Sequence, residues 1–214
     1  MSRFLALVRR DLARAFGTGA TLPIIFFLLV ATLFPFAVGP DLALLGKVGG
    51  GALWTAALLA ALLPVERLFA PDLAAGTLDQ MVVRGIGEEE IALARIVAHW
   101  LSFGPPLMLA ALPASALTGL DGPTLAGLEF GLLLGTPGLA ALAVATAALT
   151  AGLRGAGALA GLILLPLAVP LLIFGAGALG PGSAGAFKLL AATSLLLVAG
   201  APFAAGAALR ATRG

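Results

Sequence analysis

The chain has 214 residues, of which 61% are hydrophobic and only 10% are charged, and its mean hydropathy is +1.13. An ordinary soluble domain carries about 25% charged residues, so this composition excludes a water-covered globule and predicts an apolar surface that faces lipid. The sequence has no cysteine, which excludes disulfides and thiolate metal sites, and its formal net charge of only +2 gives no reason to expect nucleic acid as a partner.

The first predicted element is a helix over residues 3–16. At about 100° per residue, Arg3, Arg10 and Arg14 share one narrow face, and apolar side chains lie roughly opposite. This pattern is typical of a basic amphipathic helix that lies in the membrane interface. Two roles stay open at this point: a passive anchor that sets topology, and a mechanical element.

Six apolar segments are long enough to cross a bilayer, because a hydrocarbon core of about 30 Å needs roughly 20 helical residues. They cover residues 20–38, 48–65, 96–117, 125–149, 156–179 and 189–209. We therefore expect an all-α polytopic membrane protein, with residues 1–214 forming a single transmembrane domain.

The distribution of Lys and Arg predicts the orientation of these spans. With the N-terminus in the cytoplasm, ten of the twelve Lys and Arg residues, including Arg154 and Arg213, fall on the cytoplasmic side. Only Lys47 and Lys188 then lie outside. This asymmetry follows the positive-inside rule, and the even number of spans places the C-terminus in the cytoplasm as well.

One sizeable loop, residues 66–95, carries nine of the 22 charged residues. Thr77 and Gln80 have the spacing of a capping box, and Leu78 and Met81 share one face of the helix that would follow. The loop is therefore predicted to form short helices with an apolar edge. That edge either receives a partner or packs on the chain's own spans, and we favour the partner.

Small residues and prolines mark the predicted spans. Gly127, Gly131 and Gly135 form small-xxx-small steps, which allow helices to approach closely within one subunit or between two copies. Pro166 and Pro170 each remove a backbone donor. One expectation is that they separate a shortened fifth span from a re-entrant segment.

The sequence offers little for catalysis. Residues 39–47 end in Gly-Lys, but the spacing is wrong for a phosphate-binding loop and Val48 replaces the hydroxyl residue that would hold magnesium. We interpret His99 as an interfacial or helix-contact residue rather than a haem ligand, and Glu129 as a solvated carboxylate rather than a proton relay. We expect a conduit or scaffold with no catalytic residue, metal site or tightly bound cofactor, driven by a separate ATPase that docks on the loop.

Several segments together resemble one known family. They are Pro64-Val-Glu-Arg-Leu-Phe69, Asp72-Leu73, Gly76-Thr-Leu-Asp-Gln80, Ala98-His-Trp100, Leu132-Leu-Leu-Gly-Thr-Pro137 and Leu164-Leu-Pro-Leu-Ala-Val-Pro-Leu-Leu-Ile-Phe174. They resemble CcmB, the haem exporter B permease of cytochrome c maturation. The Gly-Thr-Leu-acid element also resembles the broader group of ABC-2 type permeases.

This resemblance implies the transmembrane subunit of an ABC complex in a bacterial inner membrane. Two copies would pair with two CcmA ATPase subunits, which would hold ATP and magnesium, and would work with CcmC, CcmD and the haem chaperone CcmE. Haem would be a cargo of the complex. It stays open whether haem passes through this subunit or whether ATP hydrolysis frees the haem-loaded chaperone, and the missing ligand set favours the second.

The resemblance also implies roles for particular residues. The segment 3–16 resembles the interfacial helix of such permeases, and the loop would supply the coupling helix that enters the ATPase. The residues expected at that interface are Glu66, Arg67, Phe69, Asp72, Gly76, Thr77, Leu78, Asp79 and Gln80. Two other functions remain as alternatives: an ABC permease for lipid, polysaccharide or drug, and a non-transporting scaffold.

Overall fold

The protein is helical throughout the part that the structure, a computed structural model, describes: residues 3–17, 19–153, 155–180 and 182–212. These residues form α1 Arg3–Gly17, α2 Thr21–Val38, α3 Leu42–Leu62, α4 Val65–Ala74, α5 Thr77–Val83, α6 Glu88–Leu117, α7 Gly122–Leu149, α8 Ala156–Gly177 and α9 Ala184–Ala211. Six segments in this described part are long and apolar enough to cross a membrane: α2, α3 running on into α4, α6, α7, α8 and α9. The predicted all-α fold and the six spans are therefore confirmed.

Two helices begin several residues before the apolar segments that predicted them. The helix α3 begins at Leu42 rather than at residue 48, and α6 begins at Glu88 rather than at residue 96. Asp41 caps α3 by accepting hydrogen bonds from two backbone amides. Three glutamates in the first turn of α6 interact favourably with the positive end of that helix's dipole. Lys47, predicted in a loop, consequently lies inside α3.

The spans continue through their prolines. α8 is unbroken across Pro166 and Pro170, so the expected re-entrant segment is wrong. A proline inside a helix removes one hydrogen bond, whereas a broken helix in lipid would leave several backbone groups unsatisfied at several kcal/mol each. A continuous helix therefore costs less free energy in lipid than a broken one.

The centre of the bundle is α7, which packs against α3, α6, α8 and α9. The Trp54 indole of α3 is buried against three glycines that line its pocket. A Cβ added to Gly131, Gly135 or Gly175 would lie only 3.1, 2.6 or 2.5 Å from an indole carbon. We call these four residues the Trp54 cradle. Two of the predicted packing glycines thus serve packing within this chain, and packing between two copies stays a prediction.

Gly127, the third predicted packing glycine, lies one turn away from the cradle on α7. A Cβ there would lie 3.5 Å from a methyl carbon of Leu179, which is ordinary van der Waals contact.

The start of α1 and the end of α9 lie at the same end of the bundle. The guanidinium of Arg3 lies 2.8 Å from the Glu90 carboxylate, and Arg210 donates a hydrogen bond to Glu89, so α1, the start of α6 and the end of α9 are neighbours. We call this end, which also carries α4 and α5, the terminal side. The predicted positions of Arg154 and Arg213 lie outside the described residues.

Candidate functional site

The predicted loop consists of two short helices with a glycine between them. Gly76 has a φ of 65°, and its amide bonds the Leu73 carbonyl, so it ends α4 in the left-handed conformation that glycine adopts most readily. α5 begins directly afterwards, and Thr77 lies inside it without a side-chain cap. The predicted capping box of Thr77 and Gln80 is therefore wrong. The loop is also shorter than predicted, because residues 88–95 belong to α6.

Three of the nine residues expected to contact an ATPase lie inside this chain. Phe69, Asp72 and Leu78 are all buried, which corrects the expectation that they touch a partner directly. The apolar edge of α5 also turns inward, since Leu78 and Met81 belong to the chain's own hydrophobic core. Of the two interpretations of this edge, packing on the chain itself is the one observed.

The buried carboxylate of Asp72 joins three elements. Its Oδ1 accepts hydrogen bonds from Arg10 Nη2 at 2.5 Å and Arg14 Nη1 at 2.6 Å, both from α1. Its Oδ2 accepts a hydrogen bond of 2.5 Å from Arg95 Nη2 of α6. The Asp72 side chain itself is 0% exposed. The basic face predicted for α1 is thus turned in part toward an acid of α4.

Arg95 links this site to its surroundings. Its Nε donates to Asp11 Oδ2 at 3.1 Å, and its Nη1 donates to the Leu68 carbonyl. The guanidinium also lies 4.4 Å from the centroid of the Phe69 ring, a cation–π contact. We call Asp72, Arg10, Arg14, Arg95 and Asp11 the Asp72 cluster.

Sequence reasoning missed two members of this cluster, Arg95 and Asp11. A signal was present, because an ionisable residue at the edge of an apolar span is costly unless a partner satisfies it. Removing one partner of a buried ion pair typically lowers the free energy of unfolding by about 3–5 kcal/mol. The cluster therefore holds α1, α4 and α6 together.

The remaining predicted interface residues lie toward the surface. Glu66, Arg67, Asp79 and Gln80 are exposed, and Gly76 and Thr77 are partly exposed. Val83, at the end of α5, is 86% exposed and was not predicted. It follows Met81, which is buried, and Val82, which is partly buried. Helical spacing places these two residues with Leu78 on the inward face and leaves Val83 off it, but nothing in the sequence marked Val83 as a contact residue.

The two isolated ionisable residues of the spans are placed as follows. His99 is buried, stacks at 4.8 Å from Phe103 between ring centroids and hydrogen bonds to the backbone of Ala61. Glu129 lies in a shallow groove beside Met108 and Leu112 of α6, and its Oε1 has no partner in the described part of the chain. Among the described residues, no group of three His, Asp or Glu side chains is arranged to hold a metal ion.

Fold and site together define a class: a polytopic α-helical membrane protein whose terminal-side helices are tied to a span by buried charges. Comparison with known proteins gives the family. The family model described as "CcmB protein" matches residues 2–212. The chain belongs to the CcmB family.

Individual relatives match over nearly their whole length. Heme exporter protein B of Paracoccus denitrificans (strain Pd 1222) is 46% identical over 212 residues, which cover 96% of this chain and 97% of the relative. The protein of the same name from Bradyrhizobium diazoefficiens is 43% identical over 218 residues, covering 98% of both chains. The one from Escherichia coli (strain K12) is 38% identical over 218 residues, covering 97% of both.

Proposed function

We propose that this chain is the permease subunit of an ABC-type haem export complex that serves cytochrome c maturation. The names of its relatives support haem as the cargo of the complex. A CcmA-type ATPase supplies ATP hydrolysis with its own ATP and magnesium, and this chain contributes no catalytic residue. The other partners are a second copy of the chain, CcmC, CcmD and the haem chaperone CcmE.

The protein would lie in the bacterial inner membrane with its terminal side in the cytoplasm. The arginines at that end, among them Arg3, Arg10 and Arg14, support this orientation through the positive-inside rule. The helices α4 and α5 then face the compartment that contains ATP.

The observation that carries the proposal is the bonding of Asp72 to α1 and α6. A partner that displaces α4 also displaces Asp72, and the hydrogen bonds to Arg14 and Arg95 transmit that movement to the interfacial helix and to a span. This arrangement favours the mechanical role for α1 over the passive anchor. The buried residues of α4 and α5 transmit force, while the exposed ones receive it.

The docking surface would then consist of the exposed residues of α4 and α5, which are Glu66, Arg67, Asp79, Gln80 and Val83. Interfaces commonly combine polar residues with apolar ones that lose their water on binding. Val83 supplies the apolar contact and the other four supply polar contacts.

Among the two routes for haem, release of the haem-loaded chaperone is the one we favour. The cavity beside His99 has a volume of about 70 Å³, whereas pockets for drug-sized ligands usually measure about 300–1,000 Å³. This small volume supports the route in which His99 does not ligate a haem.

The test uses Val83→Asp in the complete complex, with Leu153→Asp as the matched control. Leu153 is also an exposed apolar residue, but it lies outside α4 and α5, in the turn that follows α7. We expect Val83→Asp to lower ATPase recovery and cytochrome c yield roughly tenfold, as for loss of an interface anchor, and Leu153→Asp to leave both unchanged.

Normal ATPase recovery with Val83→Asp would contradict docking on this surface. Normal cytochrome c yield with a hydrolysis-deficient ATPase would favour the scaffold over the permease.

A further inference from the structure

A small cavity lies beside the Asp72 cluster on the terminal side. It measures about 70 Å³ and is enclosed by α1, the start of α2, the start of α4 and α6. Pro23 in the first turn of α2 and Pro64 just before α4 form part of its wall. The cavity therefore lies at the level where the spans begin, which is the headgroup region of a bilayer.

The lining of the cavity is suited to an anion. It includes Arg14, Arg67 and Arg95 but only one acid, Asp11. Two helices, α2 and α4, begin at its wall without a side-chain cap, and a helix N-terminus attracts negative charge. The amides of Leu22 and Arg67 already donate to backbone carbonyls, so the arginines are the main donors for an anion. Arginine and helix N-termini are the common ligands of phosphate in proteins.

The same lining also presents two acceptors that need a donor. His99 is only 4% exposed, and its ring bonds the backbone of Ala61. Its Nε2 has no hydrogen-bond partner in the described residues. The buried Oδ1 of Asp11 also accepts no hydrogen bond there, although Arg10 Nη1 lies 3.6 Å from it. A neutral imidazole that donates through one nitrogen accepts through the other, so a simple anion would leave both acceptors unsatisfied.

We propose that this cavity binds the headgroup of one phospholipid, with phosphatidylethanolamine as the preferred lipid. Its phosphate would lie among Arg14, Arg67 and Arg95, and its ammonium would donate to His99 Nε2 and Asp11 Oδ1. The apolar side chains of Leu22 and Ile25 are exposed on the adjoining turns of α2, where the acyl chains would continue into the bilayer.

The bound headgroup would contact two members of the Asp72 cluster. Arg14 and Arg95 line the cavity and also bond Asp72. The lipid phosphate thus gives Arg14 and Arg95 a second anionic partner at the joint between α1, α4 and α6, although the headgroup as a whole carries no net charge.

The first experiment measures the headgroup preference of the full-length protein. The purified chain is placed in phosphatidylcholine nanodiscs containing a minor fraction of phosphatidylethanolamine or phosphatidylglycerol, and retained lipids are identified by native mass spectrometry. We expect one phosphatidylethanolamine per chain, retained roughly tenfold over phosphatidylcholine, because a quaternary ammonium has no N–H to donate. Retention without headgroup preference would overturn the proposal.

Adding inorganic phosphate distinguishes a lipid from a free anion as the ligand of the cavity. If the ligand is a lipid, added phosphate leaves the retained phosphatidylethanolamine in place, because the acyl chains hold it in the bilayer. Loss of the lipid at millimolar phosphate would show that a soluble anion occupies the cavity and would overturn the assignment to lipid.

Matched variants locate the lipid. Ala15 lines the cavity from α1, whereas Ala13 on the same helix is exposed elsewhere. We expect Ala15→Leu, which fills the cavity, to lower lipid retention roughly tenfold, and Ala13→Leu to preserve it.

Arg67→Gln and Arg9→Gln form a second pair for the charge. Arg67 lines the cavity, whereas Arg9 is exposed on α1 away from it. Arg67 is itself exposed, so its variant carries the test if Ala15→Leu fails to fold. Equal retention by Arg67→Gln and Arg9→Gln would show that the lipid binds elsewhere on the protein.

Discussion

The Asp72 cluster and the Trp54 cradle hold helices together by opposite means. In the cluster, hydrogen bonds of 2.5 and 2.6 Å join long arginine side chains to one carboxylate. In the cradle, an indole fits against glycines where even a methyl group would lie within 3.1 Å of a ring carbon. Arginine side chains can rotate and keep their bonds while helices shift, but a close-packed ring tolerates little displacement. The cluster is thus suited to a moving joint, and the cradle to a rigid part of the bundle.

The largest effect is expected from removing the charge at the centre of the cluster. Asp72→Asn leaves three arginines without their shared carboxylate, and we expect the free energy of unfolding to fall by about 3–5 kcal/mol. Denaturant titration in detergent or nanodiscs measures the change. The control Asp79→Asn, an exposed acid of α5, should change it by less than about 1 kcal/mol, because interactions of exposed charges contribute little. Similar values for both variants would mean that Asp72 does not hold the joint.

A smaller effect is expected from crowding the cradle. In Gly135→Ala the new methyl group would lie 2.6 Å from a carbon of Trp54, and overpacking typically costs about 1–3 kcal/mol. The tryptophan emission, to which Trp54 and Trp100 both contribute, should shift as the Trp54 ring moves. Gly161→Ala on α8, where nothing lies within 4 Å, is the matched control and should preserve both stability and emission. An unchanged spectrum in Gly135→Ala would show that the cradle is not tightly packed.

The smallest effect is expected from the pair of Arg3 and Glu90, which joins two of the three helices of the cluster, α1 and α6, but at the surface. The Arg3 side chain is 56% exposed, and exposed pairs contribute at most about 1 kcal/mol, which salt screens. Arg3→Gln should therefore lower stability by less than about 1 kcal/mol, and the difference from wild type should vanish at high ionic strength. If Arg3→Gln lowered the free energy of unfolding as much as Asp72→Asn, this pair would also be essential for holding α1 and α6 together.

The sequence predicted the position of the candidate site but not its interior. The loop was identifiable because its charges interrupt apolar segments. It was not apparent that Asp72 points inward, because its partners Arg10 and Arg14 lie 62 and 58 residues away in the chain. Phe69 and Leu78 were likewise predicted at the interface. The local sequence pattern does not show which neighbouring helix buries a residue.

The glycines and prolines show the same limit in the spans. The spacing of Gly131 and Gly135 indicated a close approach, but not that the partner is the Trp54 indole of α3. Pro166 and Pro170 suggested a broken helix because local rules for proline describe helices in water. In lipid, the cost of unsatisfied backbone groups outweighs that preference.

The sequence by itself determined that this chain crosses a membrane six times, that it begins with an amphipathic helix and that it belongs with the CcmB proteins. The first two depend on the hydropathy and charge of residues summed along short segments, whereas the family follows from the order of particular residues along the chain. Only the tertiary structure decided which charges are buried and what they hold together. Pairing in a low-dielectric interior requires two groups at hydrogen-bond distance, and that distance depends on how distant segments pack.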